Sequence, residues 1–235
     1  MGRSEESSAV AAAWLLIALP VAFNAAFAVL SARFGYPDIL RRPTGEVLDR
    51  FRKGGSSLVL IWWVFAMTAV LLAPLAVLVA GALPAADSVL LALGATVGVL
   101  AALVQFLGLI RWPFLVPFLA RAYAEPEATP ARKEAIDLVF QSFNRYLGVA
   151  VGEHLGFLLT GVWSILVAVA AIQDGRLPVW LCIAGIVVGA VLAMCSLEFV
   201  GPFEPRGWKL AAMLTPIAYI AWSLWLMATG VALLL

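Results

Sequence analysis

Residues 57–82 read SLVLIWWVFAMTAVLLAPLAVLVAGA and carry no charged side chain over 26 positions. An α-helix needs roughly 20 consecutive apolar residues to cross the hydrocarbon core of a bilayer. Backbone amides and carbonyls have no water to bind there, so the segment has to satisfy them within itself. The stretch therefore predicts a transmembrane helix.

Five further runs have the same character, at residues 9–31, 88–110, 148–172, 178–199 and 209–235. Apolar residues make up 64% of the chain and charged residues 12%, whereas soluble domains hold about half and about a quarter. The six runs leave no room for a separate soluble domain. We therefore expect an all-α fold, a polytopic bundle of six transmembrane helices that forms a single domain over residues 1–235.

The basic residues are distributed unevenly between the connections. Of the 15 Lys and Arg residues, thirteen lie in the first, third and fifth connections or at their edges, and only Arg3 and Arg176 lie on the other side. Basic residues near span ends stay in the cytoplasm. This pattern predicts a multi-pass protein of the cell inner (plasma) membrane with both termini outside the cytoplasm. It also argues against nucleic acid as a partner.

Two stretches of the cytoplasmic connections predict short helices lying at the membrane surface. Residues 44–53 place Val47, Leu48 and Phe51 on one side and charged residues on the other. Residues 130–147 follow Thr129, an expected N-cap, and repeat apolar side chains at steps of three and four. The apolar face of the second helix is also a candidate surface for a cytoplasmic or membrane protein partner.

Small residues recur at four-residue spacing in three of the runs, which lets helix backbones pack closely in lipid. This spacing predicts a tight centre formed by spans three, four and five. The glycines concerned are Gly94, Gly98, Gly148, Gly152, Gly156, Gly185 and Gly189. Cys182 and Cys195 lie too far apart along one helix for a disulfide, and we expect both to be packing residues.

Glu153 and His154 are the polar residues that most need an explanation, because they lie inside the fourth predicted span. An ionisable group at the centre of a span costs about 2.5–3.5 kcal/mol on insertion scales, so it is expected to face protein or water. Gly156, Thr160 and Ser164 follow Glu153 along one helix face. That face is predicted to look into the bundle.

Other polar residues are expected at a similar depth, and together they predict a ligand-filled cavity open to the cytoplasm. The candidate ligand-binding residues are Glu153, His154, Arg111, Gln105, Asn24, Glu198 and Trp163. Arg111 is a candidate counter-charge for Glu153 or Glu198. The competing interpretation is structural, because charges near helix ends can reach the interface and an ion pair can hold two spans in register.

Tryptophans fall into two groups by position. Trp62, Trp63, Trp163, Trp222 and Trp225 lie well inside spans, where they pack or line a pocket for a flat apolar ligand. Trp112, Trp180 and Trp208 fall where interfacial aromatic belts are expected.

The sequence lacks HExxH, Gly-x-Ser-x-Gly, a phosphate-binding glycine loop and an Asp-rich metal motif. With one histidine, a bis-His haem or a histidine-rich iron centre is excluded. No metal and no cofactor is therefore expected, and an enzymatic role is left open but disfavoured.

The segments YPDILR at 36–41, LIRWPF at 109–114 and GEHLG at 152–156 resemble a bacterial six-span family known as domain of unknown function 4386. The resemblance implies the six-span fold and a bacterial inner membrane, and it implies no residue role. Three functional hypotheses remain. The first is binding or transport of a small amphipathic molecule, the second an intramembrane enzyme that uses Glu153 or His154 on a lipid-like substrate, and the third a structural or regulatory subunit without a ligand site.

Overall fold

The computed structural model describes the backbone of residues 3–235 and the side chains of residues 7–235, so the side chain of Arg3 lies outside it. Within this range the chain is helical and contains no strand. The helices are α1 Arg3–Phe34, α2 Thr44–Gly81, α3 Ser88–Ala124, α4 Pro130–Phe143, a π-helical segment Asn144–Leu155, α5 Gly156–Asp174, α6 Val179–Cys195 and α7 Lys209–Leu234. Short 3-10 turns lie at Asp38–Arg41, Ser196–Phe199 and Gly201–Phe203.

In the part of the chain that the structure describes, six helices are long and apolar enough to cross a membrane, which confirms the predicted fold class. They are Ser7–Phe34, Thr44–Gly81, Ser88–Ala124, Pro130–Asp174, Val179–Phe199 and Lys209–Leu234. Many large apolar side chains on their outer faces are exposed, among them Trp14, Val77, Phe114 and Trp180. Such a surface is stable only when lipid covers it.

The helices pack in chain order as a closed ring. Each of α1, α2, α3, α5, α6 and α7 contacts its neighbours in the chain, and α1 also contacts α7. The α1–α2, α3–α4 and α6–α7 connections lie at one end, which we call the basic end. The α2–α3 and α5–α6 connections lie at the opposite end, where Asp174 accepts a hydrogen bond from the amide of Ala85 at 2.9 Å and Gln173 accepts one from the amide of Asp87 at 3.0 Å.

Two apolar cores fill the ring. The larger core contains Trp163, Trp222 and Trp225, whose rings meet edge to face at 6.4 Å between centroids. The second core lies at the basic end and is built around Trp62 and Trp112, whose rings stack 4.4 Å apart and 9° from parallel. The position expected for Trp112 in an interfacial belt was therefore wrong, because this side chain is only 1% exposed.

Residues 44–53 form the first turns of α2, and their apolar side faces the protein interior. Val47, Leu48 and Phe51 are buried, and Phe51 stacks on Trp112 with centroids 6.0 Å apart. Gly55, with φ 58° and ψ −158°, interrupts this helix before the apolar run begins. The helix starts where the sequence predicted it, but its apolar face packs against the second core and is shielded from lipid.

The predicted surface helix at 130–147 continues into the fourth span as one helical rod, Pro130–Asp174. Thr129 caps it by accepting a hydrogen bond from the amide of Arg132 at 3.2 Å. Ile136 and Phe140 are buried, whereas Val139 and Phe143 on the same face are exposed. The third span also extends beyond its predicted end at residue 110, because α3 runs through Pro113 and Pro117 to Ala124.

Glycines bring the helices of spans three, four and five into close contact, as their spacing predicted. A Cβ added to Gly108 of α3 would lie 2.6 Å from the Cα of Gly152 in the π-helical segment. A Cβ added to Gly161 of α5 would lie 2.4 Å from the carbonyl oxygen of Gly189 in α6. Gly108 and Gly161 were not among the glycines with four-residue spacing from which this contact was predicted.

Candidate functional site

A cavity of about 170 Å³ opens at the basic end between the π-helical segment and the end of α6. Its outer rim contains Arg145 and Val200, which are 49% and 41% exposed. Its floor contains Cys195 and Ser196, which are buried. The remaining lining residues are Val149, Ala150, Glu153, His154, Phe157, Glu198 and Phe199.

The π-helical segment positions Glu153 and His154 at this cavity. It spans 12 residues, although π-helical structure is rare, mostly a single-turn bulge, and frequent at functional sites. His154 Nδ1 lies 2.8 Å from the carbonyl oxygen of Ser196, the first residue of the turn that follows α6. This hydrogen bond fixes the segment against the other wall of the cavity and leaves the neighbouring Glu153 among its lining residues.

Glu153 and Glu198 approach the cavity from opposite walls, and both are half-buried. Among residues 7–235, no ion pair within 4 Å and no side-chain hydrogen bond involves either carboxyl group. Polar groups in a water-poor environment normally have partners. Two acceptors without protein partners therefore line the same small space.

Arg145, at the mouth of the cavity, forms an ion pair with Glu204. Its Nη2 contacts the Glu204 carboxylate and donates a hydrogen bond of 2.9 Å to the Glu204 carbonyl oxygen. Its guanidinium carbon also lies 5.8 Å from the centre of the Phe199 ring. Arg145 is therefore engaged by Glu204 and forms no ion pair with Glu153 or Glu198 among the residues that the structure describes.

Arg111 lies close to the cavity but does not line it. Its guanidinium donates to the carbonyl oxygen of Gly108 and, at 3.2 Å, to Asn144 Oδ1. No ion pair within 4 Å joins Arg111 to Glu153 or Glu198 in the described part of the chain. Burial and, to a smaller extent, the charge of Glu153 raise the pKa of the nearby Tyr36 phenol to about 12, against the opposing effect of the Arg111 charge. The charges of Glu153 and Arg111 are thus both close enough to act on the Tyr36 phenol.

A family model for a domain of unknown function, DUF4386, matches residues 11–230. The chain belongs to the DUF4386 family. This confirms the resemblance that its sequence motifs indicated. No curated protein and no solved structure matches the chain.

Three further candidate residues of this DUF4386 protein lie away from the cavity. Asn24 donates to Ser223 Oγ at 3.0 Å and so joins α1 to α7. Gln105 donates to Thr160 Oγ1 at 2.9 Å and joins α3 to α5. Trp163 is fully buried in the larger core. Of the seven predicted site residues, the structure therefore brings together three at the cavity, namely Glu153, His154 and Glu198.

Sequence reasoning missed several lining residues of the DUF4386 cavity. Arg145 was assigned to the basic connection, and Phe157, Cys195 and Phe199 were read as ordinary apolar residues of spans. Phe157 lies one helical turn beyond Glu153, which was an available signal. It also contacts Tyr219 edge to face, with centroids 5.2 Å apart, so the cavity wall is continuous with the aromatic interior. In the described residues no group of three His, Cys, Asp or Glu side chains lies close enough to hold a metal ion.

Proposed function

We propose that this membrane protein binds or moves a small amphipathic ligand through the cavity between the π-helical segment and α6. The observation that carries this proposal is the pair of carboxyl groups, Glu153 and Glu198, lining one cavity without a protein partner. A structural subunit without a ligand site was expected to pair its polar residues and to have no cavity. The unpaired carboxyl groups and the cavity favour binding.

The chemistry of the lining indicates which ligand fits. A carboxylate accepts hydrogen bonds and attracts cations, so the polar end of the ligand is an amine or another group that donates hydrogen bonds. Val149, Phe157 and Phe199 line the same space and favour an apolar neighbour to that group. A cavity of about 150 Å³ holds a benzene-sized molecule. The observed 170 Å³ thus accommodates the head of the ligand, with an alkyl tail leaving past Val200.

The proposed access side follows from the charges. The basic end carries thirteen of the fifteen Lys and Arg residues, which supports a cytoplasmic location for this end in the inner (plasma) membrane, with both termini outside. Cysteine labelling tests this orientation, because Cys182 and Cys195 are 1% and 0% exposed and give little background. A membrane-impermeant maleimide added to intact cells should label Ser88→Cys and spare Glu127→Cys. The reverse pattern would contradict the proposed orientation.

Ligand binding is tested with dodecylamine and dodecanoate, which share a tail and differ in head charge. Isothermal titration of the purified protein in a neutral detergent should detect dodecylamine, with at least tenfold weaker binding of dodecanoate. Glu153→Gln removes one negative charge from the cavity and should weaken dodecylamine binding about tenfold, the typical loss when a charged hydrogen-bond partner is removed.

Glu134→Gln is the matched control, because Glu134 is exposed on α4 away from the lining residues. It makes the same chemical change and should leave dodecylamine binding within about twofold of wild type. Equal binding of both amphiphiles, or equal loss in the two variants, would refute a carboxylate-lined ligand site.

A further inference from the structure

A second region of the molecule combines free cations with lipid-facing apolar side chains, and it is independent of the cavity. Arg33 ends the exposed face of α1, one turn after the exposed Val29. Arg50 lies in the first part of α2, before the exposed Leu60 and Val64 of the same helix. Arg33 thus stands at the basic end of an apolar outer face, and Arg50 lies just before the interruption at Gly55 that precedes the outer face of α2.

The Arg50 side chain packs where α1 ends, close to Arg33 in the chain. Gly35, with φ 78°, turns the chain immediately after α1. The guanidinium carbon and both terminal nitrogens of Arg50 lie 3.5 Å from the position that a Cβ on Gly35 would occupy. Arg50 therefore packs against the backbone two residues beyond Arg33, which places two positive charges at the junction of neighbouring helices.

Arg33 and Arg50 differ from Arg41 and Arg52, which have acidic partners. Arg41 pairs with Asp38 at 3.2 Å, and Arg52 pairs with Asp49 at 3.0 Å. No ion pair within 4 Å or side-chain hydrogen bond involves Arg33 or Arg50 among residues 7–235. Glu46, one turn before Arg50, forms no ion pair with it.

Arg42, directly after the 3-10 turn Asp38–Arg41, has no acidic partner among the described side chains and adds to the positive potential. Retention of basic residues in the cytoplasm accounts for the presence of arginines in this connection. It does not account for an Arg50 guanidinium that packs against Gly35, two residues after Arg33, beside a lipid-facing surface. Positive charges near each other repel, and an anion bound between them offsets that repulsion.

We propose that Arg33 and Arg50 bind the phosphate headgroup of an anionic phospholipid in the adjacent leaflet. Guanidinium groups form forked hydrogen bonds with phosphate oxygens, which favours arginine over lysine at such a site. One acyl chain of the lipid lies along the exposed faces of α1 and α2, against Val29, Leu60 and Val64. The site retains a specific lipid at the α1–α2 junction and is separate from the proposed ligand cavity.

Native mass spectrometry of the purified protein, titrated with phosphatidylglycerol or phosphatidylcholine in a neutral detergent, tests this site. The double variant R33Q/R50Q should bind phosphatidylglycerol about 30-fold more weakly than wild type, from a contribution of about fivefold per basic residue near the headgroups. Each single variant should lose about fivefold. Phosphatidylcholine should bind weakly to all of these proteins, because its headgroup is neutral overall.

The control is R41Q/R52Q, which removes the same charge from the same connection but takes arginines that already have acidic partners. It should stay within about threefold of wild type, and the thermal unfolding of both double variants in detergent should match that of wild type. Equal loss in the two doubles would overturn the site in favour of general surface charge. Displacement of the lipid by millimolar glycerol 3-phosphate would overturn a lipid and indicate a soluble phosphate ligand.

Discussion

The contact between Gly161 of α5 and Gly189 of α6 gives the sharpest stability prediction. A Cβ on residue 161 would lie 2.4 Å from the Gly189 carbonyl oxygen and 2.8 Å from the backbone nitrogen of Ala193, whereas ordinary contacts begin at 3.4 Å. Both obstacles are backbone atoms of a helix and have no rotamer to change. Gly161→Ala therefore requires α5 and α6 to separate by about 1 Å.

The magnitude follows from that separation. A gap of about 0.5–1 Å forfeits a quarter to a half of each dispersion contact across the interface. Overpacking of this kind costs about 1–3 kcal/mol, and the higher helix propensity of alanine returns up to about 1 kcal/mol. With rigid atoms on both sides, we expect Gly161→Ala to lower the free energy of unfolding by about 2 kcal/mol.

Gly94→Ala is the matched control, because the nearest atom to its new Cβ is the Cβ of Leu166 at 3.9 Å. It makes the same change in a neighbouring apolar helix without a clash and should be neutral or stabilising by up to about 1 kcal/mol. Reversible unfolding of the purified proteins in mixed detergent micelles measures both. If the two variants proved equally stable, the close approach of α5 and α6 described here would be wrong.

Three further predictions test separate features of the structure. Thr44→Val removes the hydroxyl that joins α2 to Asp137 of α4 and should cost about 1 kcal/mol in unfolding free energy, whereas Thr44→Ser should retain most of it. Trp222→Phe and Ser164→Ala, which share a 2.9 Å hydrogen bond, should show a coupling energy of about 0.6–1.7 kcal/mol in a double-mutant cycle. Gly55→Ala has open space around the new Cβ but a backbone conformation that only glycine adopts readily, so a loss of about 1–3 kcal/mol is expected, and an unchanged unfolding midpoint would argue against that conformation.

The fold class was predictable from the sequence because lipid imposes a strong local rule. Each span has to satisfy its own backbone hydrogen bonds and present apolar side chains outward, and both requirements are visible in the apolar runs. The ends of the helices were less predictable. The third apolar run ends at residue 110, before Arg111, yet α3 continues through Pro113 and Pro117 to Ala124.

The candidate site was predictable only in part, because an apolar helix face in a membrane protein is covered either by lipid or by other helices. Val47, Leu48 and Phe51 show the periodicity of a helix lying on lipid, but the same pattern fits a face packed on Trp112. Arg111 was predicted as a counter-charge from its depth alone. Its hydrogen bonds in the structure go to Gly108 and to Asn144, and the contact with Asn144, 33 residues away, depends on how α3 packs against the π-helical segment, which periodicity does not encode.

The near-parallel stack of Trp62 on Trp112 has a spectroscopic consequence. Two indoles 4.4 Å apart couple their electronic transitions, and this coupled pair belongs to the second core, away from Trp163, Trp222 and Trp225. The near-ultraviolet circular dichroism of the pair therefore follows the loss of packing at the basic end. The stacked indoles give the second core an optical signal of its own for unfolding experiments.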